Sequence, residues 1–316
     1  MKKIIFVFLA LVLILSVFAS CKSSGGNNSG AANSTGTADV TADSTDESET
    51  TYEKQIEFNT SATIPEQTIV DEKGITIKFS GFDYNVDSEI LGPAMNFRIE
   101  NQRTEVVFVK IVNVTCNGIM NIAHTDVRVK AQSEKDEPLY LIIEDMKTFG
   151  TEAISEVSFD VVVNSNTDQL ISKKNLTFNT NIKDYKQNYD VDGDVVLDND
   201  YITVKFVKKT SDDSSNYCDF VFYNKTDKVL RLTAFDAMIN DKNINVQLDL
   251  GIRPGAYAFN FITIDKGLLS DSGIEEINDI KFKIDIYDYY EYKDLGFDQN
   301  EEQVDPIATT DEIVIK

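Results

Sequence analysis

The sequence predicts an all-β fold, two tandem antiparallel β-sandwiches behind an export signal and a polar linker. Three observations predict it. Short apolar segments, alternating or β-branched, run through residues 56–316 between turns rich in Asn, Gly and Pro. Those segments return once, at a nearly constant distance along the chain. Ahead of them lie an apolar run and then some 30 polar residues with almost nothing to bury.

The chain opens with Met1, Lys2 and Lys3, a short positive region, followed by the apolar run Ile4 to Val17. That run is too short for an ordinary spanning helix, which needs about 20 residues, and it has the layout of a secretory signal. Phe18-Ala19-Ser20-Cys21 resembles the lipobox of bacterial lipoproteins, with Phe18 where that family usually carries Leu. The resemblance implies cleavage after residue 20 and lipid on Cys21. Two acyl chains on that cysteine would hold a protein stably on a membrane. Residues 21–55 then read as the lipidated cysteine and a flexible linker, because such a composition cannot offset the entropy of ordering. A linker of this kind spans roughly 30 Å.

The repeat defines two sandwiches, 56–183 and 184–316. Gly74-Ile75-Thr76-Ile77-Lys78-Phe79 returns as Tyr201-Ile202-Thr203-Val204-Lys205-Phe206. The stretch from Phe97 to Thr104 returns from Phe220 to Asp227, and Ile154–Phe159 returns as Ile277–Phe282. The last two pairs share one offset (220 − 97 = 123 and 277 − 154 = 123), and the first differs by four residues, as one loop deletion produces. A period this long is a duplicated domain.

Each segment reads as strand or turn. Ile75, Ile77 and Phe79 alternate with polar neighbours, the pattern of a half-buried strand. Val106 to Val114 is β-branched and ends near Asn117-Gly118, a hairpin signal; its counterpart ends at Asn240-Asp241. Arg253-Pro254-Gly255 is a turn ahead of the alternating Tyr257, Phe259 and Phe261. Phe282, Ile284 and Ile286 share one face of a later strand. One helical segment per copy is expected, at Met146–Ala153 and Leu268–Glu276.

These features resemble the immunoglobulin-like (telokin-like) domains of Firmicutes surface lipoproteins. The points of match are the Asn-centred turn at Asn224, the Asn-Gly or Asn-Asp turn, the Pro-Gly turn, and Gly273 to Phe282. The second copy carries all of them; the first has Glu137-Pro138 in place of Pro-Gly. The resemblance covers residues 56–316 and implies two immunoglobulin-like sandwiches. It transfers no catalytic residue.

Composition narrows the function. With 53 acids against 30 bases, the net charge is −23. Phosphate binding needs a Lys/Arg surface, so nucleic acid is excluded as a partner. His124 is the only histidine, which removes the usual ligand set of a catalytic zinc. No phosphate-cradling glycine loop and no Gly-x-Ser-x-Gly elbow with partners occurs. Cys116 and Cys218 fall at non-equivalent positions of the two copies and read as small core residues. No cofactor is expected.

Two segments stand out as candidate sites. Asn188, Asp190, Asp192 and Asp194 alternate ahead of and behind Gly193 like the start of a calcium loop. The competing reading is an inter-domain turn, because Val195–Asp198 corresponds to the first strand Thr68–Asp71. The second candidate is the acidic segment Asp285–Asp305 with Tyr287, Tyr289, Tyr290 and Tyr292, residues suited to contacting a cationic or polyhydroxyl ligand. The competing reading is a charged hairpin that blocks edge-to-edge pairing. The second copy is also the more acidic, with 28 acids and 14 bases from Asp184 on, against 19 and 12 between Ile56 and Lys183.

The sequence therefore points to an extracytoplasmic, lipid-anchored protein. It favours a non-catalytic binding or adhesion module for an envelope or host surface ligand. A structural spacer or accessory subunit is the alternative, and a hydrolytic enzyme stands behind both. An exposed aromatic patch on the Tyr287–Tyr292 hairpin would favour binding, and uniformly polar loops with a rigid interface between the copies would favour the spacer.

Overall fold

The computed structural model describes residues 58–86, 91–290 and 305–316; the predicted signal, Cys21, the whole linker and Tyr292 lie outside the described residues. Lys54–Lys316 forms one compact unit. No helix among the described residues is long and apolar enough to cross a membrane.

The fold is an all-β sandwich architecture. In the first half the strands are β1 (Gln67–Glu72), β2 (Ile75–Asp83), β3 (Leu91–Asn101), β4 (Val107–Cys116), β5 (Ile119–Met120), β6 (Thr125–Val129), β7 (Ser133–Ile142), β8 (Glu156–Asn164) and β9 (Gln169–Asn179), with helix α1 (Ile143–Thr148) between β7 and β8. In the second half they are β10 (Asp194–Asp198), β11 (Ile202–Ser211), β12 (Ser215–Asn224), β13 (Leu230–Ile239), β14 (Lys242–Ile252), β15 (Tyr257–Asp265), β16 (Ile280–Phe282), β17 (Asp285–Asp288), β18 (Ala308–Thr309) and β19 (Ile313–Ile315), with α2 (Lys266–Asp271) after β15. Both helices start a few residues before the segments the sequence predicts and stop sooner. Asp265 caps α2 by accepting the Leu268 N–H at 2.9 Å.

Three sheets result. The first has the order β1-β2-β3-β7, and the last has the order β18-β17-β13-β16-β19 with β14 on β13. Between them runs one sheet of nine strands, β10-β11-β12-β15-β5-β4-β8-β9, with β6 on β4. Its pairings are antiparallel except where β15 meets β5, with Tyr257 opposite Ile119. The middle sheet therefore joins strands of the first half of the chain to strands of the second.

Period-two burial builds each core. Ile75, Ile77 and Phe79 of β2 are buried while Thr76 and Lys78 are half-exposed. Phe79 stacks on Phe97 at 5.2 Å and meets Phe159 edge-on at 6.0 Å, and Phe159 stacks on Phe178 at 5.4 Å. In the second core Phe220 meets Phe206 and Phe282 edge-on at 5.7 and 5.6 Å. Each fully buried Phe or Ile stabilises by roughly 1.5–3 kcal/mol relative to exposure. Phe282, Ile284 and Ile286 are buried as the alternation predicts, on either side of a break between β16 and β17.

The duplication recurs in the hydrogen bonds. Buried Asn101 donates its amide to the carbonyls of Glu105, Val129 and Lys130. Buried Asn224 donates to Lys228, Ile252 and Arg253, each 123 residues on. Asn117 accepts from the N–H groups of Ser155 and Glu156, and Asn240 from Asn278 and Asp279, at the same offset. Both asparagines and the residues after them have positive φ, the two-residue hairpin that Asn-Gly and Asn-Asp favour. β10 pairs with β11 in the register, and with the bulge, of β1 on β2.

One expected equivalence is corrected. The counterpart of Pro254-Gly255 is Ala131-Gln132, not Glu137-Pro138, which lies inside β7. Gly255 donates its N–H to the Asn224 carbonyl, whereas Gln132, 123 residues earlier, donates to the Arg103 carbonyl, which stands at the position of Thr226. Gln132 holds φ 49° where the second copy has Gly255 at 64°. The first copy thus takes the same left-handed conformation at this position with a residue that disfavours it.

Candidate functional site

Of the candidate residues singled out in the sequence, Tyr289 and Tyr290 reach the junction between the two halves of the chain. The middle of β8 reads Val157-Ser158-Phe159-Asp160-Val161. Phe159 and Val161 point into the first core, so Asp160 points to the opposite face of the sheet. That face is covered by the second sandwich, and Asp160 is buried.

Both neighbours of β8 bulge at this level. The β4 register shifts between Val112 and Thr115, and the β9 register shifts opposite Phe159 and Val161. Asn113 and Asn175 sit in these irregularities with φ 53° and 58°, a conformation asparagine tolerates. The bulges aim polar groups at the carboxylate. Asn113 donates its side-chain amide to Asp160 at 2.8 Å, and Asn175 donates its backbone N–H at 2.8 Å.

The second sandwich supplies the countercharge. Arg253 lies 3.4 Å from Asp160, with only 7% of the Arg and 3% of the Asp side chain exposed. Its guanidinium also donates to the Asn113 carbonyl at 2.9 Å and to the Asn175 side-chain oxygen at 2.6 Å. Its backbone N–H points to the Met120 sulfur at 3.4 Å. Met120, from the first half, packs into the second core.

The tyrosines of the acidic segment close this cluster. Tyr290 donates its hydroxyl to Asp160 at 2.8 Å, and Lys174 sits 3.3 Å from the centre of its ring, a cation–π contact. Burial first, then the hydrogen bond to Asp160, raises the Tyr290 phenol above its ordinary value. Tyr289 meets Tyr290 edge-on at 5.6 Å and lies against Gly251; burial raises its phenol as well. Tyr287 is half-buried on β17, in register with Arg231. A cavity of about 190 Å³ remains beside Lys110, Asn164, Lys174 and the two tyrosines.

A second part of the junction is apolar. Ile119, Phe149 and Val221 form a small third core, with Tyr189, Val191, Val207, Tyr257 and Phe259 packed on it. Tyr257 stacks on Tyr189 and on Tyr223, both at 4.5 Å. Tyr257 and Phe259 therefore face the junction, while Ala258, Ile262 and Ile264 of the same strand face the second core. The Tyr189 hydroxyl donates to the Asn117 carbonyl at 2.7 Å. A Cβ on Gly118, at φ 76°, would come within 3.0 Å of that hydroxyl, so glycine suits both the turn and the contact.

The calcium candidate takes a different form. Tyr185, Gln187, Tyr189 and Val191 face inward, and Asn188, Asp190 and Asp192 alternate with them on the exposed side. The alternating acids are the solvent face of an extended segment, with Asp194 opening β10. Asn188 accepts the Asp190 N–H, and Asp190 pairs with Lys205 at 3.4 Å. Among the described residues no three His, Cys, Asp or Glu side chains group as metal ligands. His124 is exposed, with Nδ1 3.2 Å from the Ile122 carbonyl.

Asp160 and Arg253 carry the junction; the sequence reading passes over Asp160 and takes Arg253 only as part of a turn. A signal existed: Asp160 is the one charge in the run Val157–Val163, and such an acid needs a buried partner. The chemistry of the arrangement is that of a lock. The donors converging on Asp160 occupy its oxygens, and the guanidinium is held from three sides.

No family model matches this chain, and no curated protein matches it. Among solved structures, red sea bream transglutaminase aligns with 62% of this chain at 8% identity and a TM-score of 0.20, and the chain spans 27% of that protein. A protein of unknown function from Porphyromonas gingivalis W83 aligns over 68% of this chain and 92% of its own, at 12% identity and a TM-score of 0.19. Superpositions this loose carry no argument about fold or chemistry.

Proposed function

We propose that this chain is a lipid-anchored, extracytoplasmic, non-catalytic arm, in which two immunoglobulin-like sandwiches are locked together into one rigid spacer beyond a flexible tether. The observation that carries the reading is the shared middle sheet, sealed by the third core and by the buried Asp160–Arg253 pair. A freely jointed pair of binding modules needs none of these; domains joined by a small polar contact move by default. The tyrosines that suggested a ligand surface support the arm instead, since Tyr289 and Tyr290 are engaged within the chain. The anchor is supported by Phe18–Cys21 and the apolar run before it.

Replacing Cys21 tests the anchor. Cys21→Ala is expected to move the protein from the membrane fraction to the medium with its melting temperature unchanged. Retention of the variant on the membrane would contradict the anchor without touching the arm.

A further inference from the structure

The two sandwiches differ in one place where duplication makes the difference informative. In the first, the segment Phe58–Ile64 ahead of β1 enters the sandwich end between β2 and the chain after α1. Ala62 and Ile64 are buried in the first core, and Phe58 packs against it. Asn59 donates its N–H to the Glu152 carbonyl at 2.7 Å, and Tyr84 donates its hydroxyl to the Ala62 carbonyl at 3.1 Å. Asn181 holds the same segment by accepting the Thr63 N–H at 2.7 Å.

In the second sandwich the equivalent segment goes elsewhere. β1 and β10 share one register, so Tyr185–Val191 stands where Phe58–Ile64 stands, three residues short of its strand. It runs along the junction instead: Tyr185 accepts the Glu152 N–H, Gln187 donates to the Phe149 carbonyl, and Tyr189 donates to Asn117. The sandwich end it would have filled is a groove of about 600 Å³ between the ends of β11 and β12, α2 and the chain after it. Cys218, Leu269, Ile274 and Ile277 line it. They stand at the positions of Met95, Met146, Thr151 and Ile154, 123 residues earlier. Among the described residues no backbone N–H takes the Glu275 carbonyl, the counterpart of the Glu152 carbonyl that binds Asn59.

We propose that this groove binds an extended peptide segment of a partner protein, seated as Phe58–Ile64 is seated in the first sandwich. The fold itself supplies the template: small and aliphatic side chains at alternate positions, as Ala62 and Ile64, and a backbone N–H for the Glu275 carbonyl. The walls also state a preference. Phe82, opposite Met95, is replaced by Lys209, opposite Cys218, and Tyr84 is replaced by Ser211. The aromatic wall that receives Phe58 at 6.2 Å from Tyr84 is therefore gone; Lys209 lines the groove instead, together with Lys266, Glu275 and Glu276. The peptide that fits carries, in place of Phe58, a carboxylate that reaches Lys209 and stands clear of Glu275 and Glu276. This groove lies apart from the junction and does not depend on the arm reading.

The test uses the full chain with isoleucine methyl labels and a synthetic peptide of residues 57–66 carrying Phe58→Asp. Ile274 and Ile277 report the groove, and Ile64 and Ile154 report its filled counterpart. Saturable shifts of Ile274 and Ile277 are expected, with a Kd on the order of 100 μM, a short peptide burying little surface. Loss of binding by an Ile64→Asp peptide is expected too. The native peptide with Phe58 should bind about threefold more weakly, the worth of one exposed ion pair. Lys209→Glu should reverse that order, and Ser270→Trp should fill the groove and remove the shifts. Lys209→Glu lies on the surface and keeps the test open if the tryptophan variant does not fold. Unshifted Ile274 and Ile277 at millimolar peptide, shifts confined to Ile64 and Ile154, or equal binding by the Ile64→Asp peptide would each overturn the proposal.

Discussion

Asp160→Ala is the perturbation that bears hardest on the junction. It leaves Arg253 buried with the Asn113 carbonyl and the Asn175 side-chain oxygen as acceptors and no countercharge. It also strips an acceptor from the Tyr290 hydroxyl, the Asn113 amide and the Asn175 N–H. Removing one member of a buried pair costs about 3–5 kcal/mol. At about 2–4 °C per kcal/mol for a unit of this size, the melting temperature falls by about 6–20 °C. Arg253→Met is milder, about 1–2 kcal/mol, because Asp160 keeps three donors. The double variant should recover part of the loss, with a coupling energy of about 1–3 kcal/mol. Calorimetry is the assay: one transition is expected for the unaltered protein and two for Asp160→Ala, as the sandwiches uncouple. A loss under about 1 kcal/mol, or strict additivity in the double variant, would refute the reasoning.

Four further outcomes follow from the same structure. Asn101→Ala and Asn224→Ala each leave three buried or part-buried carbonyls without their donor, and each should cost about 1–3 kcal/mol in urea denaturation. Gly118→Ala should destabilise by about 1 kcal/mol or more, through its positive φ and the close Tyr189 hydroxyl, with its effect concentrated at the junction in hydrogen exchange. Cys116 and Cys218 are buried, which pushes their thiols up to about 12 and about 11; both should resist a thiol reagent at neutral pH until unfolding, and the denatured mature protein should show two reactive thiols if Cys21 carries lipid. Stability should also fall in alkali: these thiols and the phenols of Tyr84, Tyr189, Tyr289 and Tyr290 are raised in the folded state. The unfolded chain therefore releases those protons first, so their contribution is complete below about pH 9 and is lost as pH climbs toward the folded values. A melting temperature flat from pH 8 to 11 would contradict that sign.

Much of the fold is legible because its signals are local. Alternation in Ile75–Phe79 and Phe282–Ile286 reports burial directly, and Asn117-Gly118 and Asn240-Asp241 name their own turns. The paired offset of 123 residues reports the duplication down to single hydrogen bonds. The misplaced Pro-Gly counterpart shows where this ends: Gln132 adopts a left-handed turn that no residue type announces, because tertiary pairing overrides local preference.

The junction was harder to read for a different reason. Tyr257 and Phe259 alternate as any strand does, and nothing along the chain says that their face meets another sandwich. The acids of Asn188–Asp194 look like a calcium loop because metal loops and extended strands both place residues at period two. Tyr289 and Tyr290 look like ligand contacts because aromatic residues near acids suit a buried junction as well as an exposed surface. Asp160 alone carried a local clue, a charge among valines, but its partner Arg253 lies 93 residues away (253 − 160 = 93). Only topology brings them together.

The most direct test of the rigid arm is a distance measurement between spin labels on Asp136→Cys in the first sandwich and Asp271→Cys in the second, both exposed, with the native thiols buried. A single narrow distribution, broadened in Asp160→Ala, is the predicted result. A broad distribution in the unaltered junction would mean that the two sandwiches swing independently, and the arm would not be rigid.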